Sequence, residues 1–404
     1  MKKVVFLESV EGVESLFTRG LRHGAVKAGW NTSICFLRDK EEEFFRVEEL
    51  KRKIRGENPD VICFLMDAPL PLRDLWEGGL EAFPKISLWY DDFLRSPHTL
   101  ENPRRWTQWQ KEQNVRVFIW DGYWRKEWKK LTEADAFETH LAADPSQLNE
   151  NAEPIFPELN DFAVMTGTLP SLVSLQKELM ALPAPVRKIV QECAVLLEKD
   201  TWPIQPYACA GFVLGRLSAK LKHAAETWLS APINRAVFYH QIWRWGKRSA
   251  RLRGLRALAE VSPVAVLSGH RTENFAGEEE LRACLPKNAH FEFRDTTKIS
   301  SEQWSGIFRS GKFQIQFTDP QSIKGGIPFR VFECAACAVP LLSDSRPELS
   351  KLFPSLITAD TEQSLAQKAA TISKDEFLVS ACESHKTFLE KHTWEARWKE
   401  LVEG

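Results

Sequence analysis

Arg330 and Glu333 stand three residues apart in the run PFRVFECAACA. On a helix that spacing places a guanidinium and a carboxylate on one face. Lys324, Gly325 and Gly326 come just before them. A glycine loop that opens onto a helix N-terminus gathers free N–H groups and the positive end of the helix dipole, which together suit phosphate. Lys324 and Arg330 add positive charge to such a seat. Glu333 lies about one turn in, on the same face. The plain alternative for the same residues is a tight turn followed by an ordinary i,i+3 ion pair.

Other candidates sit where apolar runs end. Asp91 and Asp92 close the run Ile86–Tyr90, Asp121 closes Val115–Trp120, and Glu11 and Gly12 follow the first run, Val4–Leu7. His270 and Arg271 follow Val264–Ser268 and could meet a phosphate or a carboxylate. A general base must lie within hydrogen-bond reach of the hydroxyl it deprotonates. Asp91 and Asp92 lead for that role, although helix N-capping competes for every one of these aspartates. No set of His, Asp and Glu has metal-ligand spacing, so no metal is expected.

The elements that must hold these residues follow from periodicity. Phe313, Ile315 and Phe317 alternate with Gln314 and Gln316, which predicts a strand. Pro328 suits the first position of a helix over Phe329–Ala338. Val339–Leu342 predicts a second strand closed by Ser343 and Asp344. Strands alternating with helical segments over the first 150 or so residues predict a parallel, doubly wound sheet. Ligands in such sheets sit beyond the carboxyl ends of the strands.

The stretch GGIPFRVFECAACAVPLLSD resembles the nucleotide-binding motif of GT-B glycosyltransferases, in the branch related to the spore-maturation protein CgeB. Weaker similarity runs along most of the chain, including LAADP at 141–145. The resemblance implies an α/β, GT-B fold: two Rossmann-like, doubly wound domains facing across a cleft. It implies an N-terminal domain over 1–168 on the acceptor side, with Glu11, Gly12 and Asp121 near the acceptor. It implies a nucleotide-sugar domain over 255–384, and a C-terminal segment, 385–404, returning to the first domain. Two positions depart from the pattern. Gly325 stands where many retaining relatives carry a glutamate, and Ala338 replaces a glycine. The expected function is metal-independent transfer of a sugar from a nucleotide donor to a cell-surface or secreted glycan, or a lipid-linked acceptor. A non-catalytic glycan- or nucleotide-binding protein and a sugar-nucleotide epimerase are the competing expectations.

Residues 169–254 exceed this pattern. Leucines at helical spacing, cut by Pro183, Pro185, Pro203 and Pro206, predict a helical insertion. Its end carries Arg244, Lys247, Arg248, Arg251, Arg253 and Arg256 among Trp243 and Trp245, without an acid from 244 to 256. Such a segment could rest on an anionic membrane. It could also bind a phosphate-rich acceptor, and the alternative is a solvated helix face whose acidic partners lie elsewhere.

Composition sets the frame. At 404 residues two domains are the default, and a net charge of −1 makes no electrostatic case for a nucleic-acid partner. Fifteen tryptophans are expected mainly in cores and interfaces. Eight scattered cysteines, including the C-x-x-C pair Cys334 and Cys337, read as packed thiols of a reducing, cytoplasmic setting. The apolar run after Lys2 and Lys3 is too short for a signal peptide, and no run is long enough to span a membrane.

Overall fold

The computed structural model describes residues 1–10, 15–38, 47–66, 75–76, 79–90, 93–144, 148–199, 206–269, 273–319 and 326–403. The chain forms two units. Unit 1 is Met1–Asp144, Lys324–Ile327 and Glu390–Gly404; unit 2 is Pro145–Ile323 and Pro328–Leu389.

Unit 1 is built on strands β1 (Lys3–Val10), β2 (Asn31–Arg38), β3 (Val61–Leu65), β4 (Lys85–Trp89), β5 (Val115–Ile119) and β6 (Phe137–Glu138). They form one parallel sheet in the order β2-β1-β3-β4-β5-β6. The middle strands are apolar on both faces because helices cover both, as a parallel sheet requires. Tryptophans fill one side: Trp89, Trp106 and Trp128 are buried, with ring centroids 5.0–5.8 Å apart in tilted or edge-on pairs. The tryptophan count is therefore largely a matter of core packing.

Unit 2 holds β7 (Ala163–Thr166), β8 (Val264–Ser268), β9 (Phe291–Asp295), β10 (Phe313–Gln316), β11 (Leu341–Asp344) and β12 (Ile357–Ala359). Their order is β12-β11-β10-β7-β8-β9, again all parallel. β7 lies in the middle of this sheet, paired with β8 on one side and β10 on the other. The first domain thus ends before residue 145 and not at 168. The pairing that decides this joins Ala163 to Val264 and Phe313, about a hundred or more residues away, so no local pattern announces it.

Between β7 and β8 the described residues form helices Leu172–Met180, Ala184–Lys199, Pro206–Arg216, Ala219–Leu229 and Pro232–Ala259. Pro183 and Pro206 mark helix starts. The 254 boundary, however, falls inside an unbroken helix of 28 residues. Its first half, with Phe238 and Ile242, shares an apolar core with Val186, Ile189 and Val190. Its second half, with Leu252, Leu255 and Leu258, belongs to the core under the second sheet. Gly254 permits this approach, since a Cβ there would fall 2.0 Å from the Phe317 ring.

The C-terminal segment, 385–404, is divided between two helices, Lys374–Lys391 and Trp394–Glu403. The break admits a bridge in which the Ala143 N–H donates to His392 O (3.3 Å) and the Trp394 N–H donates to Ala143 O (3.2 Å). The last helix packs on helix Leu16–Lys27 within unit 1. Gly24 is required there, because a Cβ would lie 2.2 Å from the Trp394 carbonyl oxygen.

Candidate functional site

Helix Phe329–Ala336 is the next described element after β10. Because the sheet is parallel and the helix follows the strand, this helix begins beyond the carboxyl end of β10. Pro328 is its N-cap, extended at φ −62° and ψ 149°, one position earlier than expected. Proline has no side-chain acceptor, so the head of the helix has no side-chain cap. The tail is closed instead. Ala338 N–H donates to Ala335 O (3.2 Å) and Val339 N–H to Cys334 O (2.9 Å), a Schellman arrangement around Ala338 at φ 51°. This left-handed geometry is the physical reason a glycine suits that position. Arg309 Nη1 and His385 Nδ1 add hydrogen bonds to Cys337 O (3.2 Å) and Ala335 O (2.8 Å) near the negative end of the dipole.

Arg330 and Glu333 share a face, with Arg330 Nη1 3.2 Å from Glu333 Oε2. Both side chains are partly shielded, and the guanidinium lies over the Phe308 ring, 4.4 Å from its centroid. Arg330 Nε and Nη1 make no hydrogen bond among the described residues. The guanidinium is therefore held by stacking and by charge, with donors unused. The opposite face of the helix is core: Val331, Phe332, Cys334 and Ala335 are buried. Burial pushes the Cys337 thiol up to about 12 and the Cys334 thiol well above its usual range. The C-x-x-C pair is thus packing, and no metal-holding group of His, Cys, Asp and Glu occurs among the described residues.

Gly326 is buried, and its N–H donates to Asp121 Oδ2 at 3.0 Å. Asp121 itself is fully buried and caps helix Gly122–Thr132, with Oδ1 accepting from the Tyr123 N–H at 2.7 Å. Among the candidate roles for this aspartate, the structure shows it filling the N-cap. At the end of β1, Glu8 Oε1 accepts from the Ser15 N–H (3.0 Å) and hydroxyl (2.9 Å), and Ser15 caps helix Leu16–Lys27. Asp344, at the end of β11, is also fully buried and accepts from the Thr318 N–H (2.8 Å) and hydroxyl (2.7 Å). Asp344 thus closes its strand as expected, and both it and Glu8 are taken up by neighbouring N–H and hydroxyl groups. Glu11, Gly12, Asp91, Asp92, His270, Arg271, Lys324 and Gly325 lie outside the described residues.

The basic run turns inward. Arg244 is ion-paired with Glu178, Arg248 with Glu280 (2.7 Å) and Arg253 with Glu362 (2.8 Å), while Arg256 donates to Cys284 O (2.7 Å). Lys247 and Arg251 both pair with Asp319, at 3.2 and 2.8 Å. A membrane-facing helix must present its cations to solvent, and these are committed to acids and carbonyls of unit 2. These pairs are the distant acidic partners that the alternative expectation named. The acids come from helices and loops distant in sequence, so their absence between 244 and 256 carried no information about exposure. No helix among the described residues is long and apolar enough to cross a membrane.

Comparison with known proteins agrees with this architecture. Residues 258–403 match the family model described as glycosyl transferase-like. No curated protein matches the chain. Among solved structures, the N-terminal domain of Candida albicans trehalose-6-phosphate phosphatase superposes with a TM-score of 0.56 at 7% identity, covering 100% of this chain and 96% of that one. The E. coli trehalose-6-phosphate structure bound with UDP-2-fluoro glucose gives 0.55 at 10% identity, covering 100% and 98%. A UDP-forming trehalose-phosphate synthase from Burkholderia xenovorans gives 0.53 at 10% identity, with the same coverage. At such identities the structures establish the fold alone. The twin parallel sheets are of the GT-B type, and residues 258–403, which include most of the second sheet, are glycosyl transferase-like.

Proposed function

We propose that the protein transfers a sugar from a nucleotide-activated donor held by unit 2 to a hydroxyl of a cell-surface or secreted glycan, as in the CgeB-like branch. The observation that carries this reading is the uncapped head of helix Phe329–Ala336, with Arg330 and Glu333 on its first turns, inside the matched domain. In the transfer, the bond from the sugar carbon to the diphosphate oxygen breaks and the acceptor oxygen bonds to that carbon, losing its proton. Negative charge grows on the departing diphosphate. Helix N–H groups and the Arg330 guanidinium are suited to stabilise it, because fixed dipoles need no reorganisation as charge develops. Glu333 accepts from the nucleotide ribose. Lys324, Gly325, His270 and Arg271 belong to the same donor side in this reading, and Asp91 or Asp92 to deprotonation of the acceptor. The transfer needs no metal, and a cytoplasmic setting, expected from the scattered thiols, belongs to the same proposal.

The test is a thermal-shift panel of nucleoside diphosphates, beginning with UDP because one similar structure is bound with UDP-2-fluoro glucose and another is described as UDP-forming. A ligand held only by the folded state raises its stability by mass action. Stabilisation by one diphosphate, unaffected by EDTA, together with slow hydrolysis of the matching nucleotide sugar, is the expected result. No response to any diphosphate would overturn the reading, and release of an isomerised nucleotide sugar would replace it with the epimerase.

A further inference from the structure

Helices Ala184–Lys199 and Pro206–Arg216 pack together around the apolar core of the helical segment. Their outward faces are apolar as well. Phe212 is 51% exposed and Val195 49%. Both border a groove of about 310 Å³ that Leu196 and Val213 also line. Glu192 stands on one side of it and Arg216 on the other helix. The Arg216 guanidinium lies over the Phe212 ring, 4.3 Å from its centroid, so a positive charge sits beside the exposed aromatic. Glu192 makes only a loose surface pair with Lys188, at 3.9 Å. Contiguous exposed apolar side chains rimmed by polar ones mark an interaction surface.

The backbone of helix Pro206–Arg216 adds an independent sign. Gly211 and Gly215 are exposed beside Phe212, and four residues apart they share a face. A Cβ on either would meet nothing within 4 Å among the described residues, and neither has a positive φ. Nothing in the described chain therefore requires glycine at these positions, although glycine inside a helix is less stable than alanine. What glycine does permit is the close approach of another backbone. All these residues precede 258, so the domain match assigns them no role.

We propose that a second copy of this chain docks on this face about a two-fold axis. The face holds a knob (Phe212), a hollow (Val195, Leu196 and Val213), an acid and a base, and so both halves of each contact. Such self-complementarity is what an isologous dimer requires. Phe212 of each copy fills the groove of the other, and Glu192 of each meets Arg216 of the partner subunit. The glycine faces let the two Pro206–Arg216 helices come close. An anionic membrane fits less well, because it favours a rim of cations and Glu192 breaks that rim.

Sedimentation velocity on the full chain over a range of concentrations tests the dimer. Wild type should pass from monomer to dimer as concentration rises. Phe212→Glu places a charge in each groove and should weaken dimerisation about a hundredfold, with the circular dichroism spectrum retained. E192R and R216E should each weaken it about tenfold, since each sets like charges together in both pairs. An equimolar mixture of those two variants should recover the wild-type affinity, because their heterodimer has opposite charges in both pairs. Failure of the mixture to recover overturns the two-fold pairing. A wild-type dimer that Phe212→Glu leaves intact overturns the proposal, as does a wild type that stays monomeric at every concentration. If that monomer sediments with phosphatidylglycerol vesicles and Phe212→Glu does not, the face belongs to a membrane instead. Should Phe212→Glu unfold, G211L/G215L serves in its place, because its side chains point into open space. Dissociation of a folded G211L/G215L supports the dimer, and an unchanged dimer overturns it.

Discussion

Helices Gly122–Thr132 and Phe329–Ala336 make an instructive pair. Each follows a parallel strand, and each ends in a non-glycine residue with left-handed backbone, Glu133 at φ 61° and Ala338 at φ 51°. Their heads differ. Asp121 closes the first with a fully buried carboxylate that accepts from Tyr123 and Gly326. Pro328 begins the second and offers nothing to accept with. A carboxylate at a helix head neutralises the positive end of the dipole and takes up its N–H groups. The same backbone unit therefore has a side-chain cap at its head in one unit and none at its N-cap in the other. One side chain makes the difference.

The comparison can be broken most severely at the packing of the first helix. Trp128 is completely buried against Trp89, Trp106 and Phe93. Trp128→Ala should destabilise the protein by about 3–5 kcal/mol in urea denaturation, the usual cost of truncating a core aromatic. A loss below 1 kcal/mol would mean that this helix is not a packed joint.

Next comes its cap. Asp121→Ala strands two buried N–H groups and should cost about 2–4 kcal/mol by the same measurement. Asp121→Asn keeps the accepting oxygen and should recover much of that stability. Should Asp121→Asn instead fold normally and abolish transfer, the aspartate would be chemical and the contrast between the heads would fail.

At the second head, Glu333→Gln should weaken nucleoside diphosphate binding about ten- to a hundredfold, the loss of one charge-assisted bond. Its melting temperature should hardly change, because the carboxylate is not part of the buried face. A destabilised fold with unchanged affinity would make Glu333 a structural partner of Arg330.

A smaller effect is expected from giving the second head the cap of the first. Pro328→Asp should stabilise the helix by about 1 kcal/mol, the worth of a good N-cap, while lowering pyrophosphate affinity. Tighter pyrophosphate binding would contradict the idea of an open anion seat. The smallest effect lies at the tail, where the heads no longer matter. Ala338→Gly relieves a left-handed alanine and should stabilise by about 0.5–1 kcal/mol, with nucleotide binding unchanged. No stabilisation would show that the Schellman turn carries no strain.

Several of these features can be read from local residues. Alternation around Phe313 and Ile315 marks β10, the small-residue run after Pro328 marks its helix, and prolines 183 and 206 mark starts in the helical segment. Others cannot. Six basic residues without a neighbouring acid look like a surface, yet their partners Glu178, Glu280, Asp319 and Glu362 lie up to about a hundred residues away. The 28-residue helix they occupy serves two cores, so its sequence gives no sign of where one ends.

By itself the sequence determined what depends on near neighbours: the alternation of strands and helices, the βαβ unit at 313–344 and the motif that resembles the nucleotide-binding motif of glycosyltransferases. Backbone sterics and side-chain periodicity act over a few residues, so such features are written locally. Only the tertiary structure decided that β7 joins the second sheet, that the arginines face inward, and that Asp121 caps a helix while the helix after Pro328 stays uncapped. Each of these turns on which distant group arrives within about 3 Å, and that distance is set by the packing of whole sheets and helices.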